Sequence, residues 1–155
     1  MSSFKAVAIP TEMAEAVRST MKSPKYGFPA HREVAAGRAP CRHCLELVKL
    51  NEEELILFTM DAFHGLDVPP APGPVYIHAQ KCSRYDGAGV IPDTYRGRLL
   101  TLEAFGADRK LLAEARVANF EEGKIANELL ENPDVEYINV RSTEAGCFLF
   151  RLERF

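Results

Sequence analysis

Cysteine is scarce in this sequence, with four residues among 155. That number is too small for a protein built on a disulfide framework, which small secreted domains use when their hydrophobic core is insufficient. The chain is long enough for one domain, and its 46% apolar and 26% charged residues are typical of a globular protein. We therefore expect residues 1–155 to form a single globular domain with a substantial core.

Long hydrophobic stretches are also lacking. No segment approaches the roughly 18 apolar residues that a membrane-spanning helix needs. The apolar part of Phe4–Ile9 is short and ends at Pro10, which is unlike the hydrophobic region of a signal peptide. We expect a cytoplasmic protein without a membrane partner. Because the cytoplasm keeps thiols reduced, a cysteine pair in such a protein indicates metal binding or redox chemistry before a structural bridge.

The sequence has no excess of positive charge. Its net charge of −3 is shared almost evenly by the two halves, which argues against nucleic acid as a partner. It also lacks the Gly-x-Ser-x-Gly, His-Glu-x-x-His and dinucleotide-binding glycine motifs, so hydrolase, zincin and Rossmann functions have no support. Basic residues surround the Gly-Ala-Gly segment 87–89, but scattered surface charge explains them more simply than an anion site.

The hydrophobic pattern predicts a mixture of strands and helices. One helix is expected to begin near Thr11 as N-cap, with Met13, Val17 and Met21 facing the core, and a second to cover residues 122–131. The predicted strands are 4–9, 54–60, 75–78, 99–105, 111–117, 135–141 and 147–155. Because strands follow one another directly, we expect an α+β fold, with a mainly antiparallel or mixed sheet and about two main helices.

Two short hooks stand out in what the sequence contains. The first is Cys41-x2-Cys44, and the second is His78-x3-Cys82, after an intervening 33 residues. Tetrahedral metal sites are commonly assembled from such pairs, because ligands a few residues apart can converge on one ion. Three thiolates and one imidazole form a soft ligand set that suits zinc better than magnesium or calcium. The spacing predicts a zinc site with Cys41, Cys44, His78 and Cys82 as ligands.

Two other interpretations of the cysteines stay open. If a helix begins near Cys41 and continues to Leu50, its N-terminus and the neighbouring Arg42 and His43 would stabilise a thiolate, making Cys41 and Cys44 a redox pair or sensor. Alternatively, all four thiols are buried and inert, as free cysteine often is in protein cores. Cys147 stands apart from the hooks at the start of an apolar strand and is expected to lie in the core.

Several segments together resemble one protein family. They are Phe4–Pro10 (FKAVAIP), Pro40–Leu45 (PCRHCL), Gly73–Ala79 (GPVYIHA) with Cys82, Asn139–Arg141, and Gly146–Phe148 followed by Arg151 and Arg154. In combination they look like the uncharacterised bacterial family known as domain of unknown function 1203. The resemblance implies a small, single-domain bacterial protein, and it implies no particular activity, cofactor or catalytic residue.

The sequence therefore supports three functions of different kinds. The first is a zinc-binding domain that uses the two hooks, and the second is a thiol redox protein or sensor. The third is a non-catalytic domain that binds a ligand or another protein. The expected partner is a small molecule or a protein, and no catalytic residue is predicted.

Overall fold

The structure is a computed structural model that describes residues 4–87 and 91–155. Within these residues it contains two α-helices and eight β-strands. They are β1 (Phe4–Val7), α1 (Thr11–Thr20), β2 (His31–Val34), β3 (Glu54–Asp61), β4 (Pro72–His78), β5 (Leu100–Phe105), β6 (Leu111–Val117), α2 (Glu122–Leu130), β7 (Tyr137–Ser142) and β8 (Phe148–Arg154). The predicted α+β class with a mainly antiparallel sheet is confirmed. The Gly-Ala-Gly segment 87–89 lies largely outside the described residues.

The chain divides into two compact units. The first unit, called here the five-stranded unit, comprises the described residues of Met1–Val7, Asp67–Pro69 and Asp86–Phe155. The second, called here the three-stranded unit, comprises Ala8–Leu66 and Pro70–Tyr85. That residues 1–155 act as a single domain stays a prediction.

The five-stranded unit contains one antiparallel sheet in the order β1-β8-β7-β5-β6. Helix α2 lies against β5 and β6 and buries Ala126 and Leu130. The consecutive residues Phe148 to Leu152 of β8 are all buried, as expected for a strand between two neighbours whose faces are both covered. This unit is held mainly by apolar packing.

The three-stranded unit contains an antiparallel sheet in the order β2-β3-β4 and helix α1. Strand β4 lies at the edge of this sheet, where Pro72 and Pro74 are tolerated because an edge strand needs fewer N–H donors. The loop between β3 and β4 is fixed by the buried carboxylate of Asp61, which accepts the N–H groups of Phe63 and Ala71 at 2.9 Å each. Strand β4 then runs from Pro72 to His78, its last residue.

Three sequence-based expectations about this unit are wrong in detail. Strand β2 is not among the predicted strands; all four of its residues are exposed, so it lacks the apolar alternation of a half-buried strand. Helix α1 begins at Thr11 with Pro10 as N-cap and without a side-chain cap. Along that helix Val17 is buried, but Met13 and Met21 are only half-buried.

The helix expected from Cys41 to Leu50 does not form. These residues form turns and isolated bridges. The Glu46 carbonyl oxygen accepts the N–H of Cys41 at 2.9 Å, whereas in a helix it would accept from a residue four positions further along the chain. Among the described residues, no helix combines the length and the apolar character needed to cross a membrane.

Candidate metal centre

The first hook is a tight turn that brings two sulfurs to one side. The Leu45 N–H donates to the Cys41 carbonyl oxygen at 2.9 Å, and Leu45 has a φ of 59°, a left-handed conformation that reverses the chain. The backbone N–H groups of Cys44 and Glu46 donate to the sulfurs of Cys41 and Cys44 respectively. Such bonds stabilise the thiolate form that a metal requires.

The edge of β4 anchors this turn. Cys41 forms a parallel bridge with Tyr76, and the Arg42 N–H donates to the Tyr76 carbonyl oxygen at 3.0 Å. The Arg42 side chain is buried, lies over the Tyr76 ring with 5.9 Å between its guanidinium carbon and the ring centroid, and donates to the Pro40 carbonyl oxygen at 2.6 Å. The first hook is therefore attached to the strand that carries the second.

The second hook starts where β4 ends. The backbone N–H of His78 donates to the Cys41 sulfur at 3.3 Å, so the end of the strand already touches the first hook. Four residues later, Cys82 returns its sulfur to within 3.8 Å of the Cys41 sulfur. Cys41, Cys44 and His78 are buried and Cys82 is half-buried. All four cysteines of the chain, each in the described part, are unbridged thiols.

The ligand atoms of Cys41, Cys44, His78 and Cys82 all lie within 4.8 Å of one another. Zinc–sulfur bonds of about 2.3 Å and zinc–nitrogen bonds of about 2.0–2.1 Å, at tetrahedral angles, separate two sulfurs by about 3.8 Å and a sulfur from a nitrogen by about 3.6 Å. The observed values are 3.8 Å between the Cys41 and Cys82 sulfurs and 3.4 Å between the Cys44 sulfur and His78 Nδ1. The arrangement can hold a tetrahedral metal ion.

Glu53 orients the histidine of this group. Its Oε1 lies 3.3 Å from His78 Nε2, on the opposite side of the ring from Nδ1, which faces the Cys44 sulfur. Metal-bound histidines usually donate their second ring N–H to a carboxylate or carbonyl group, which fixes the tautomer and the ring orientation. The Lys49 N–H donates to the same Glu53 oxygen at 2.8 Å and holds the carboxylate in place.

Cys82 receives two side-chain donors that the sequence did not predict. Arg18 Nη2 donates to its sulfur at 3.3 Å, while Arg18 Nε donates to the His78 carbonyl oxygen at 3.1 Å. His43 Nδ1 lies 3.2 Å from the same sulfur. Thr11 Oγ1 lies 2.9 Å from His43 Nε2, so its hydroxyl can donate to Nε2 and keep the proton on Nδ1. Both donors face the sulfur that a metal would share.

Hydrogen bonds within the cluster shift the pKa values of its members. Hydrogen bonds with Cys44 and Cys82 hold the pKa of Cys41 well below its ordinary value, and the bond with Cys41 raises the pKa of Cys44. Hydrogen bonds to the sulfurs of Cys41 and Cys82 raise the pKa of His78 to about 10. Burial lowers the pKa of His43, which favours its neutral form. In the metal-free cluster these shifts favour the thiolate form of Cys41 and the protonated form of His78.

A cleft of about 700 Å³ opens beside the cluster in the three-stranded unit. Cys44, His78 and Cys82 are part of its wall, together with polar and charged residues that include Glu53, Lys81 and Tyr85. One side of the ligand group therefore faces a space large enough for small molecules. The expected small-molecule or protein partner stays a prediction.

The structure brings together all four residues that the spacing predicts as ligands. Cys147 is not one of the four; it is half-buried and directly precedes β8. Sequence reasoning missed the roles of Glu53, Arg18 and Thr11, because no spacing relates them to the hooks. It named His43 only as a positive neighbour of Cys41, although its position inside the first hook was the available signal. The redox interpretation loses its expected helix N-terminus at Cys41.

Comparison with known proteins adds one finding. The family model described as "Protein of unknown function (DUF1203)" matches residues 38–154, a range that includes all four clustered residues. No curated protein and no solved structure matches the chain.

Proposed function

Because the chain belongs to the DUF1203 family of proteins of unknown function, we propose its function from its own geometry. It is a metal-binding protein in which zinc, held by Cys41, Cys44, His78 and Cys82, ties two distant chain segments together. The observation that carries the proposal is the convergence of the four ligand atoms within 4.8 Å. Unrelated buried thiols would have no reason to meet a histidine nitrogen at tetrahedral spacing.

The ligand set and its charge support zinc. Three thiolates and one imidazole are soft to borderline ligands, which suit zinc and exclude the oxygen-preferring cations. Three thiolates around a divalent ion leave a net charge of −1, and the guanidinium of Arg18, 3.3 Å from the Cys82 sulfur, balances it. Four protein ligands complete a tetrahedral shell, which is typical of structural zinc sites.

The metal would stabilise the contact between the first hook and β4. Residues 40–45 touch β4 through one bridge and one backbone hydrogen bond at Tyr76, through the Arg42 guanidinium over the Tyr76 ring, and through the His78 N–H on the Cys41 sulfur. A single ion bound by both hooks would join them through four coordinate bonds. Free energy of metal binding then becomes free energy of folding, because the unfolded chain has no preformed site.

Zinc affinity is expected to rise with pH. Below about pH 10, His78 of the metal-free protein carries a proton that the metal must displace, and the raised pKa of Cys44 acts in the same direction. Each proton released makes binding more favourable as the pH increases. A zinc affinity that is constant between pH 6 and pH 9 would contradict this account.

The test is a metal analysis of protein purified under reductant and without an affinity tag. We expect about one equivalent of zinc per chain, and less than about one tenth of an equivalent of any transition metal overturns the proposal. X-ray absorption should show three sulfurs near 2.3 Å and one nitrogen near 2.0 Å. Cys147→Ser is the matched control, since it removes a thiol outside the group and should leave the zinc content unchanged.

A further inference from the structure

We propose that Cys82 is a modification site that reacts with hydrogen peroxide, and that Cys41 then forms a disulfide with it. The release of zinc rests on the proposed function: the disulfide removes two zinc ligands, so oxidation releases the ion. The reagent class is a small, uncharged peroxide. Three observations carry the inference, namely the exposure of Cys82, the donors around its sulfur, and the position of Cys41.

Exposure distinguishes Cys82 from the other two thiols of the group. The exposed fraction is 0% for Cys41 and 8% for Cys44, whereas Cys82 is half-buried and forms part of the wall of the 700 Å³ cleft. It also lies in the irregular segment after β4, outside any helix or strand. A small oxidant arriving through the cleft therefore meets Cys82 as its most accessible sulfur in the group.

The donors around the Cys82 sulfur are suited to breaking the oxygen–oxygen bond. When a thiolate attacks peroxide, one oxygen departs as hydroxide, so developing negative charge appears close to the sulfur. Arg18 Nη2 and His43 Nδ1 lie 3.3 Å and 3.2 Å from that sulfur, and fixed N–H donors placed where charge develops stabilise the transition state. Both are held in place, Arg18 by the His78 carbonyl oxygen and His43 by Thr11.

Cys41 is positioned to complete the oxidation. Its sulfur lies 3.8 Å from that of Cys82, and a disulfide requires a separation of about 2.05 Å. The Cys82 sulfur must move by the remaining distance of less than 2 Å, since Cys41 is fixed by the turn and by Tyr76. Sulfenic acids condense readily with a neighbouring thiol.

The Cys82 thiolate attacks one peroxide oxygen, so that a sulfur–oxygen bond forms, the oxygen–oxygen bond breaks, and the departing hydroxide takes up a proton from solvent to become water. The Cys41 thiolate then attacks the Cys82 sulfur, displacing a second hydroxide that is protonated to water. Two thiolates have lost two electrons in total, peroxide has been reduced to two waters, and zinc leaves a site that has lost two negative ligands.

The test treats the zinc-loaded protein with hydrogen peroxide, traps remaining thiols by alkylation and maps disulfides by mass spectrometry, while a chromogenic chelator records zinc release. We expect Cys41–Cys82 as the first disulfide, formed at the same rate as zinc is released. A first disulfide between other cysteines, or zinc release with all four thiols still alkylatable, overturns the inference. Cys147→Ser should leave both rates unchanged.

A second variant tests the role of the donors without removing a ligand. Arg18→Gln, compared with the protein at equal zinc content, should lower the rate of Cys82 oxidation by about tenfold, the effect of one charge-assisted hydrogen bond. Arg96→Gln is the matched control, since Arg96 is exposed and pairs with Asp93 in the five-stranded unit; its rate should not change. Equal rates for both variants would remove Arg18 from the mechanism.

The two proposals fail in different ways. A protein that contains no metal contradicts the proposed function, and the disulfide mapping of that same sample still decides whether Cys82 and Cys41 react with peroxide. A protein that contains zinc but whose thiols resist peroxide supports the proposed function and overturns this inference.

Discussion

The two units of this protein bury polar side chains for different purposes. In the five-stranded unit, buried polar side chains bond to nearby groups at separate places: Arg151 Nε donates to Asn139 Oδ1 at 3.1 Å, and Glu122 Oε1 accepts the N–H of Gly97 at 2.7 Å. In the three-stranded unit, the buried His43 and His78 both face sulfurs. One unit therefore distributes bonded polar side chains through an apolar core, whereas the other gathers its buried histidines beside its cysteines.

The difference shows how a short sheet can be stabilised. The five-stranded unit has a sheet whose central strands are almost entirely buried, as in β7, where Tyr137 to Val140 are covered. The three-stranded unit has one partly buried central strand, β3, flanked by β2, whose residues are all exposed, and the edge strand β4. A small apolar core contributes less free energy, and small folds commonly add a metal site to compensate. The following predictions test this comparison.

The largest effect is expected from removing the metal. Chelation, or the Cys41→Ser substitution, should increase hydrogen exchange in residues 40–48 and 75–82 by several orders of magnitude and leave β7 and β8 protected, because structural zinc contributes about 10 kcal/mol or more in small domains. Exchange read by mass spectrometry on each segment is the measurement. An equal loss of protection in both units would contradict the comparison.

A core substitution in the five-stranded unit should lower the stability of the protein without changing its zinc content. Phe150 is fully buried, and Phe150→Ala is expected to lower the free energy of unfolding by about 3–5 kcal/mol through lost packing and a cavity, with zinc content unchanged. Denaturant unfolding with metal analysis checks both parts. The control is Phe28→Ala, at a side chain that is 56% exposed, where a change within about 0.5 kcal/mol is expected.

A smaller effect should follow from weakening the hydrogen bond that orients the histidine ligand. Glu53→Gln weakens the acceptor at His78 Nε2 and is expected to reduce zinc affinity by about 10- to 100-fold, as for other carboxylates behind a metal-bound histidine. A competition titration against a chelator of known affinity gives the value. The exposed neighbour Glu52 provides the control, since Glu52→Gln should leave the affinity unchanged; similar losses in both variants would point to a general charge effect.

The smallest effect concerns the hydrogen bond between Thr11 and His43. Thr11→Val removes the hydroxyl 2.9 Å from His43 Nε2 and should cost about 0.5–1.5 kcal/mol of unfolding free energy. A double-mutant cycle with His43→Gln separates this bond from any effect on helix α1. Additive losses in the cycle would mean that the two side chains do not cooperate.

Much of the fold could be predicted because hydrophobic periodicity is local. The strands β3, β5 and β6 and helix α2 follow apolar patterns that depend only on neighbouring residues. Strand β2 has no such pattern, since its residues are exposed and it is held by pairing with β3. One interpretation of the sequence has a helix from Cys41 to Leu50, but the left-handed Leu45 and the bond from Cys41 to Glu46 turn the chain instead.

The candidate metal centre also has residues that the sequence could predict and residues that it could not. The spacing of the cysteines and His78 is a local property that identifies each hook, so all four clustered residues could be named from the sequence. Glu53, Arg18 and Thr11 reach the cluster from a loop and from helix α1, at separations of 25, 64 and 32 residues from their partners. No pattern in the chain encodes such distances.

By itself, the sequence determined which residue types were available and which of them stood close enough along the chain to act together. It determined the α+β class for the same reason, because strands and helices depend on short-range patterns. Only the tertiary structure decided that the two hooks meet, that Arg18 and His43 face Cys82, and that this sulfur lines a cleft. Those features depend on the pairing of β3 with β4 and on the docking of residues 40–45 at Tyr76, which join parts of the chain that are distant in sequence.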